Sequence, residues 1–366
     1  MFVCLLSWPL LLAALFAPSA AMAAVLADDR ADALYHYYDG GGVEVQGPAV
    51  LVRKGDNANV SGFAHYYIDN VTSASVDVLS YASPYTEQRN EFGLGIDYLN
   101  EDTTLTFAYS NSEESDYSAN TFNLAFSQEM LSGMTTLNMS VSRGFNEVRD
   151  NTNPTFEETA DVWKWRMGVG QVFTKKFVMN FDFEVIHSQG FLNNPYRKVR
   201  IDGNFVAPEV YPDKRNSLAL AARGMYYLGK RSSTRFEARY FNDDWEVNAL
   251  NLEGGYTHYY TPKLLAEYRG RFYTQNKAFH YSDNFDSVQR FMARDKELST
   301  FSSVSVGYKL TYEIWKRSDR LLKQGDISFA YNLFYFDYED FTDPTNNNEP
   351  YSFHANVAQI LFSLRY

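Results

Sequence analysis

From residue 24 onward the chain alternates apolar and polar residues with period two, and helical i, i+3, i+4 spacing is scarce. Phe92, Leu94, Ile96 and Tyr98 share one face, with Gly93, Gly95 and Asp97 between them. The pattern recurs at Phe122, Leu124, Phe126, at Trp163, Trp165, Met167, Val169, at Leu264, Ala266, Tyr268, and at Val304, Val306, Tyr308, Leu310. Many of these runs reach about ten residues, beyond the ~5–6 of ordinary strands and the length a tilted strand needs to cross a bilayer. Aromatics such as Tyr98, Tyr109, Trp163, Phe173, Tyr226 and Tyr312 sit near run ends, where a transmembrane barrel carries its interfacial girdles. Lipid cannot satisfy an open sheet edge, so such strands must close on themselves. The predicted fold is therefore all-β, a closed antiparallel transmembrane β-barrel.

Strands are predicted near 32-38, 43-54, 59-69, 89-99, 103-112, 120-128, 134-143, 162-173, 177-187, 216-228, 233-242, 245-257, 263-275, 300-313, 326-337 and 353-366. That is sixteen, with fourteen or eighteen as alternatives. The longer connections 70-88, 113-119, 144-161, 188-215, 276-299 and 338-352 then fall on one side, and short ones on the other, as in single-chain outer-membrane barrels. Two links fit this segregation poorly: 243-244 is short for an outer loop and 314-325 long for an inner turn. Gly40, Gly41 and Gly42 predict a hairpin between the first two strands.

Both chain ends agree with this picture. Residues 1-23 carry no charged side chain, hold an apolar run from Leu5 to Phe16, and end in Ala21-Met22-Ala23, which predicts a cleaved secretory signal taking the single cysteine, Cys4, with it. Residues 24-366 then form the barrel domain. At the far end Ile360, Phe362, Leu364 and Tyr366 share a face and resemble the C-terminal strand signal of bacterial outer-membrane barrels, implying the barrel-assembly machinery as a partner.

Composition narrows the function classes. A formal charge of -12, from 33 Lys+Arg against 45 Asp+Glu, argues against nucleic acid as a partner. One cysteine excludes a disulfide scaffold, and 28 Tyr with 28 Phe exclude disorder. About sixteen strands leave an aqueous lumen. The alternation points Lys164, Arg166, Asp182, Glu184, Arg223, Arg235, Glu237, Arg239, Glu253, Glu267, Arg269 and Arg271 into it, with acids and bases opposed. These rows either orient a polar solute across the pore or stiffen the wall as salt-bridge ladders. In connection 188-215, Arg197, Lys198 and Arg200 are candidates for an inward constriction, for contacts to lipopolysaccharide phosphates, or for a plain solvated loop. Asp340, Asp343 and Glu349 give connection 338-352 an acidic character without calcium-loop spacing.

No metal, cofactor or catalytic site is predicted. The six histidines, His36, His65, His187, His258, His280 and His354, show no metal-ligand spacing, and His258 and His354 are the candidates should a serine hydrolase be hidden here.

The stretch Asp29-Arg30-Ala31-Asp32-Ala33-Leu34-Tyr35-His36-Tyr37-Tyr38-Asp39-Gly40-Gly41-Gly42-Val43 resembles the opening of a proteobacterial outer-membrane family called domain of unknown function thirty-five seventy. Ser73-Ala74-Ser75-Val76-Asp77-Val78, Ala82-Ser83-Pro84-Tyr85-Thr86-Glu87, Phe191-Leu192-Asn193-Asn194-Pro195-Tyr196-Arg197 and Ala293-Arg294-Asp295-Lys296-Glu297-Leu298-Ser299-Thr300-Phe301 extend the resemblance. It implies an outer-membrane barrel in contact with lipid and lipopolysaccharide, and supplies no catalytic residues. It also implies association with periplasmic lipoproteins and with flavin-attachment or thioredoxin-like redox partners. The function expected is a non-enzymatic, porin-like channel for small polar solutes. The alternative is a barrel scaffold that works with such partners and conducts little alone.

Overall fold

The computed structural model describes residues 25–56, 58–76, 79, 85–317 and 321–366. The expected signal, residues 1-23, lies outside them, as do parts of connections 70-88 and 314-325. The strands are β1 (Arg30–Gly40), β2 (Val43–Gly55), β3 (Val60–Ser73), β4 (Tyr85–Asn100), β5 (Thr103–Glu113), β6 (Tyr117–Met130), β7 (Thr135–Asp150), β8 (Asn153–Thr174) and β9 (Phe177–Gly190), then β10 (Lys198–Ile201) and β11 (Asn204–Pro208), then β12 (Lys214–Gly229), β13 (Ser232–Asp243), β14 (Asn248–Tyr259), β15 (Leu264–Gln275), β16 (Phe301–Lys316), β17 (Gln324–Asp343) and β18 (Glu349–Arg365). Sixteen of these described strands, all but β10 and β11, form one closed antiparallel barrel. Each barrel strand pairs with the next in the chain, β9 pairs with β12, and β18 returns to β1 in a register running from Arg30↔Arg365 to Gly40↔Ala355. The sixteen predicted strands correspond to these one for one.

The outward face is a continuous apolar belt. Leu94, Ile96, Phe107, Met139, Leu252 and Phe272 are 42–50% exposed around the whole circumference, a surface that water would not tolerate and lipid would. The mouth that shares a side with both chain ends is closed by tight turns. Two-residue turns at Glu101-Asp102 and Lys230-Arg231 use positive φ at Glu101 (54°), Lys230 (50°) and Arg231 (64°), matching the right-handed strand twist. At the opposite mouth Gly41 and Gly42, with φ of 60° and 75°, make the predicted β1–β2 hairpin.

Several predicted boundaries were wrong, most by stopping a strand too early. Connections 144-161 and 338-352 are largely strand: β7 and β8 run on to a turn at 151–152, and β17 and β18 to one at 344–348. Polar residues beyond the bilayer lose the apolar alternation but keep the ladder hydrogen bonds, so the hydrophobic signal stops before the strand does. Link 243-244 is a turn over 244–247, and 314-325 shortens to 317–323. The β10–β11 hairpin inside connection 188-215 was not anticipated.

Candidate functional site

One half of the barrel wall carries a charged inner face. Trp165, Met167, Phe181, Phe183, Phe236, Tyr240, Leu252, Tyr268 and Phe272 are exposed on the outside, so the alternate positions on β8, β9, β12, β13, β14 and β15 face the lumen. The pore-lining residues expected from sequence are among them, and the register brings them together. Glu184 is held between Arg166 at 2.5 Å and Arg239 at 3.2 Å. Arg223 bridges Asp182 at 2.5 Å and Glu237 at 2.8 Å. Arg235 reaches Glu253 at 3.1 Å and Glu267 at 3.8 Å, and Lys309 on β16 reaches Glu267 at 3.7 Å. Gly168 leaves the gap this needs, since a Cβ there would meet Asp182 Oδ1 at 2.7 Å. The side chains of Arg166 and Arg223 are nonetheless 56% and 45% exposed, which on an inward face requires water in the lumen. Pairs that wet contribute little stability each, about 0–1 kcal/mol.

Arg269 and Arg271 differ from their neighbours. Arg269 donates its Nε to Asn332 Oδ1 at 2.6 Å, and Arg271 its Nε to Asn251 Oδ1. Their partners are amides, and no carboxylate of the described residues forms an ion pair with either. The opposing wall is more tightly tied: His36 Nε2 lies 2.8 Å from Asp69 and Arg53 pairs with Asp97, all four buried. Between the two walls β5 and β6 present small neutral side chains such as Thr106, Ser110, Thr121 and Asn123.

The outer mouth is filled by a cap with its own apolar core. Val76, Trp245, Val247, Ala278, Tyr281, Ala293, Leu298, Tyr338 and Phe341 are buried together. They pack on Phe241, Phe301, Phe336 and Phe353, which share the inward parity of Arg239, Lys309 and Asn332. Connections 191–213 and 276–300 therefore fold into the mouth instead of standing above it. Backbone bridges Ile201↔Phe285 and Val210↔Met292 join the two. Arg200, expected as a constriction residue, is 7% exposed and bound to Asp283 at 2.5 Å and to Asn348 at 2.5 Å. Arg197 pairs with Asp295 at 2.8 Å, and Lys198 is exposed. Two of the three expected cations thus tie loops to one another.

Two titratable groups are sealed in this cap. His280, 3% exposed, is boxed edge-on by Tyr211, Trp245 and Phe279, and neither ring nitrogen has a hydrogen-bond partner among the described residues. Burial, aided by Arg215, pushes its pKa down to about 4. Glu209, also 3% exposed, accepts from Tyr211 Oη at 2.7 Å and the Arg294 amide at 2.7 Å, and burial pushes its pKa up to about 7.

Sequence reasoning missed Lys309, Asn332 and Asn251, whose parity was available, and the cap, whose core joins residues of separate connections and of the β17 end. His258 and His354 lie on the outward face, against Tyr256 and Tyr335, and do not meet in the lumen. Asp340 accepts from the Thr300 amide and pairs with Lys277 at 3.8 Å, tying connection 276–300 to β17, and Asp343 accepts from Thr345 and caps the 344–348 turn. Among the C-terminal residues, Ile360 and Phe362 face outward and the Tyr366 hydroxyl donates to the Arg53 carbonyl at 3.0 Å.

Comparisons with known proteins follow the same lines. The sequence model of the family described as protein of unknown function (DUF3570) matches residues 57–156 and 143–322. No curated protein matches the chain. Among solved structures, a bacterial polysaccharide outer membrane secretin is similar over 93% of this chain and 100% of its own, at 8% identity and a TM-score of 0.51. That similarity concerns the fold alone. The siderophore receptor PirA from Pseudomonas aeruginosa matches 93% of this chain and 81% of its own, at 8% identity and a TM-score of 0.46. The outer membrane protein opdK from Pseudomonas aeruginosa matches 93% and 100%, at 9% identity and a TM-score of 0.43.

Proposed function

For a chain that belongs to the family described as protein of unknown function (DUF3570), built as an outer-membrane-type barrel, we propose a porin-like role: passive passage of small polar solutes through the lumen. The observation that carries the reading is the water-exposed charged wall, with Arg166 and Arg223 about half accessible inside a closed barrel. A lumen filled by its own side chains, as in eight-stranded barrels, would bury them. We take the site of action to be the outer membrane of a Gram-negative bacterium, reached by export on the N-terminal apolar segment and with lipopolysaccharide around the outer rim. No catalytic step is part of the proposal.

The cap favours a second reading, in which the barrel is a scaffold for a periplasmic lipoprotein or redox partner and conducts little alone. Single-channel recording of the detergent-purified barrel in a planar bilayer separates the two. Stable steps in salt solution are the expected result. Silence from protein whose barrel is folded, judged by its heat-modifiable mobility, overturns the channel reading and leaves the scaffold.

A further inference from the structure

Across β12 to β17 one row of directly paired, inward positions runs Met225, Arg235, Gly255, Arg269, Gly307, Asn332. It holds two guanidinium groups and no carboxylate. The row on its outer side runs Glu237, Glu253, Arg271, Ser305, so Glu253 stands directly across from Arg271 on the neighbouring strand. The carboxylates nearest to these arginines, Glu253 and Glu267, are already held by Arg235 and Lys309. Arg269 and Arg271, two residues apart on one strand, therefore stand side by side on the same face with their charges uncompensated by an ion pair among the described residues.

The two glycines make this arrangement. A Cβ at Gly307 would lie 2.0 Å from Asn332 Oδ1, so only glycine lets Asn332 reach across β16 to take the Arg269 Nε proton at 2.6 Å. A Cβ at Gly255 would lie 2.7 Å from Arg235 Nε, so that arginine crosses β14 to hold Glu253 and Glu267. Each of Arg269 and Arg271 is fixed at Nε by an amide oxygen, Arg269 is exposed on the inward face, and the half-buried Arg271 guanidinium lies 5.3 Å from the Tyr273 ring centroid, so the terminal nitrogens are not used in an ion pair among the described residues. A guanidinium oriented in this way offers paired N–H donors to two oxygens of one anion. An asparagine partner orients the fork without neutralising it, where an aspartate would do both.

We propose that Arg269 and Arg271 form a seat for small oxyanions, with the terminal guanidinium nitrogens as the donors, and that carboxylate- or phosphate-bearing solutes are the class this lumen selects. The inference rests on the channel reading for its physiological meaning, but the seat itself binds whether or not the barrel conducts.

Calorimetry on the detergent-solubilised full-length barrel tests it without a conductance readout, with sodium succinate in one arm and inorganic phosphate in the other, at low ionic strength. The expected result is saturable binding in at least one arm, weakened roughly tenfold or more in Arg269→Gln/Arg271→Gln, the loss expected for removing charge-assisted hydrogen bonds. Which arm binds tighter identifies the carboxylate or the phosphate as the preferred group. Arg269→Lys/Arg271→Lys keeps the charge and loses the fork, so binding intermediate between wild type and the glutamine pair is expected. No binding in either arm, or equal binding by the wild type and a folded glutamine variant, overturns the proposal. Absence of conductance with binding intact overturns only the channel reading.

Discussion

In Asp283→Ala the outer cap is expected to come loose while the barrel stays folded. Asp283 lies between two cations, Arg200 at 2.5 Å and Arg294 at 2.9 Å, whose side chains are 9% and 2% exposed. Its carboxylate also takes the Thr342 hydroxyl at 2.7 Å and the Thr342 amide at 3.2 Å, so one residue joins connections 191–213 and 276–300 to the β17 end. Deleting it takes the shared carboxylate from two buried guanidinium groups, leaving them neutral partners such as Asn348 Oδ1 and the Thr342 carbonyl, and removing one partner of a buried ion pair costs about 3–5 kcal/mol. A cap held by an apolar core of nine buried residues does not survive that loss as a fixed structure. Barrel strands draw on a separate and continuous hydrogen-bond ladder. Limited proteolysis should therefore cut the variant within 191–213 and 276–300 at a rate well above wild type, with unchanged heat-modifiable mobility. Single-channel steps should be larger or more frequent. A cap as protease-resistant as the wild type's would show that the apolar core alone holds it.

How much of this was legible in the sequence follows from which solvent each residue meets. The belt residues, Leu94, Phe107, Leu252 and their like, must be apolar because lipid surrounds them, so their alternation fixes strand identity, parity and count. The same parity puts Arg166, Glu184 and Arg269 inside. Which of those charges would remain without an acidic partner was not legible, because it depends on Gly255 and Gly307 letting side chains cross a neighbouring strand. The cap was invisible for a different reason. Trp245, Tyr281, Tyr338 and Phe341 come from the 244–247 turn, connection 276–300 and the far end of β17, and they meet only after those segments have folded together, which no local periodicity announces. Arg200 read as a pore cation for the same reason, since its partners Asp283 and Asn348 are 83 and 148 residues away.

His280 and Glu209 should give the cap two opposed responses to acid. The His280 pKa is pushed from 6.5 down to about 4, so the neutral ring is favoured in the folded cap. Its contribution is complete above pH 6.5 and is lost as pH falls from there towards 4, because the unfolded loop then binds the extra proton. Glu209 is shifted the other way, from 4.5 up to about 7, so the folded cap binds the proton first. That penalty is greatest above pH 7 and is relieved as pH falls towards 4.5. Each slope is about 1.4 kcal/mol per pH unit within its window, and the windows nearly coincide, so the wild-type cap should vary little between pH 7 and 4.5. Removing one group exposes the other. His280→Phe, which fills the box made by Tyr211, Trp245 and Phe279, should yield a cap more stable at pH 5 than at pH 7 by about 2 kcal/mol. Glu209→Gln should yield one less stable at pH 5 by a similar margin. Hydrogen-exchange protection of 191–213 and 276–300, corrected for the intrinsic pH dependence of exchange, reads both. Equal, flat profiles in the two variants would mean that neither group is sealed from water in the cap.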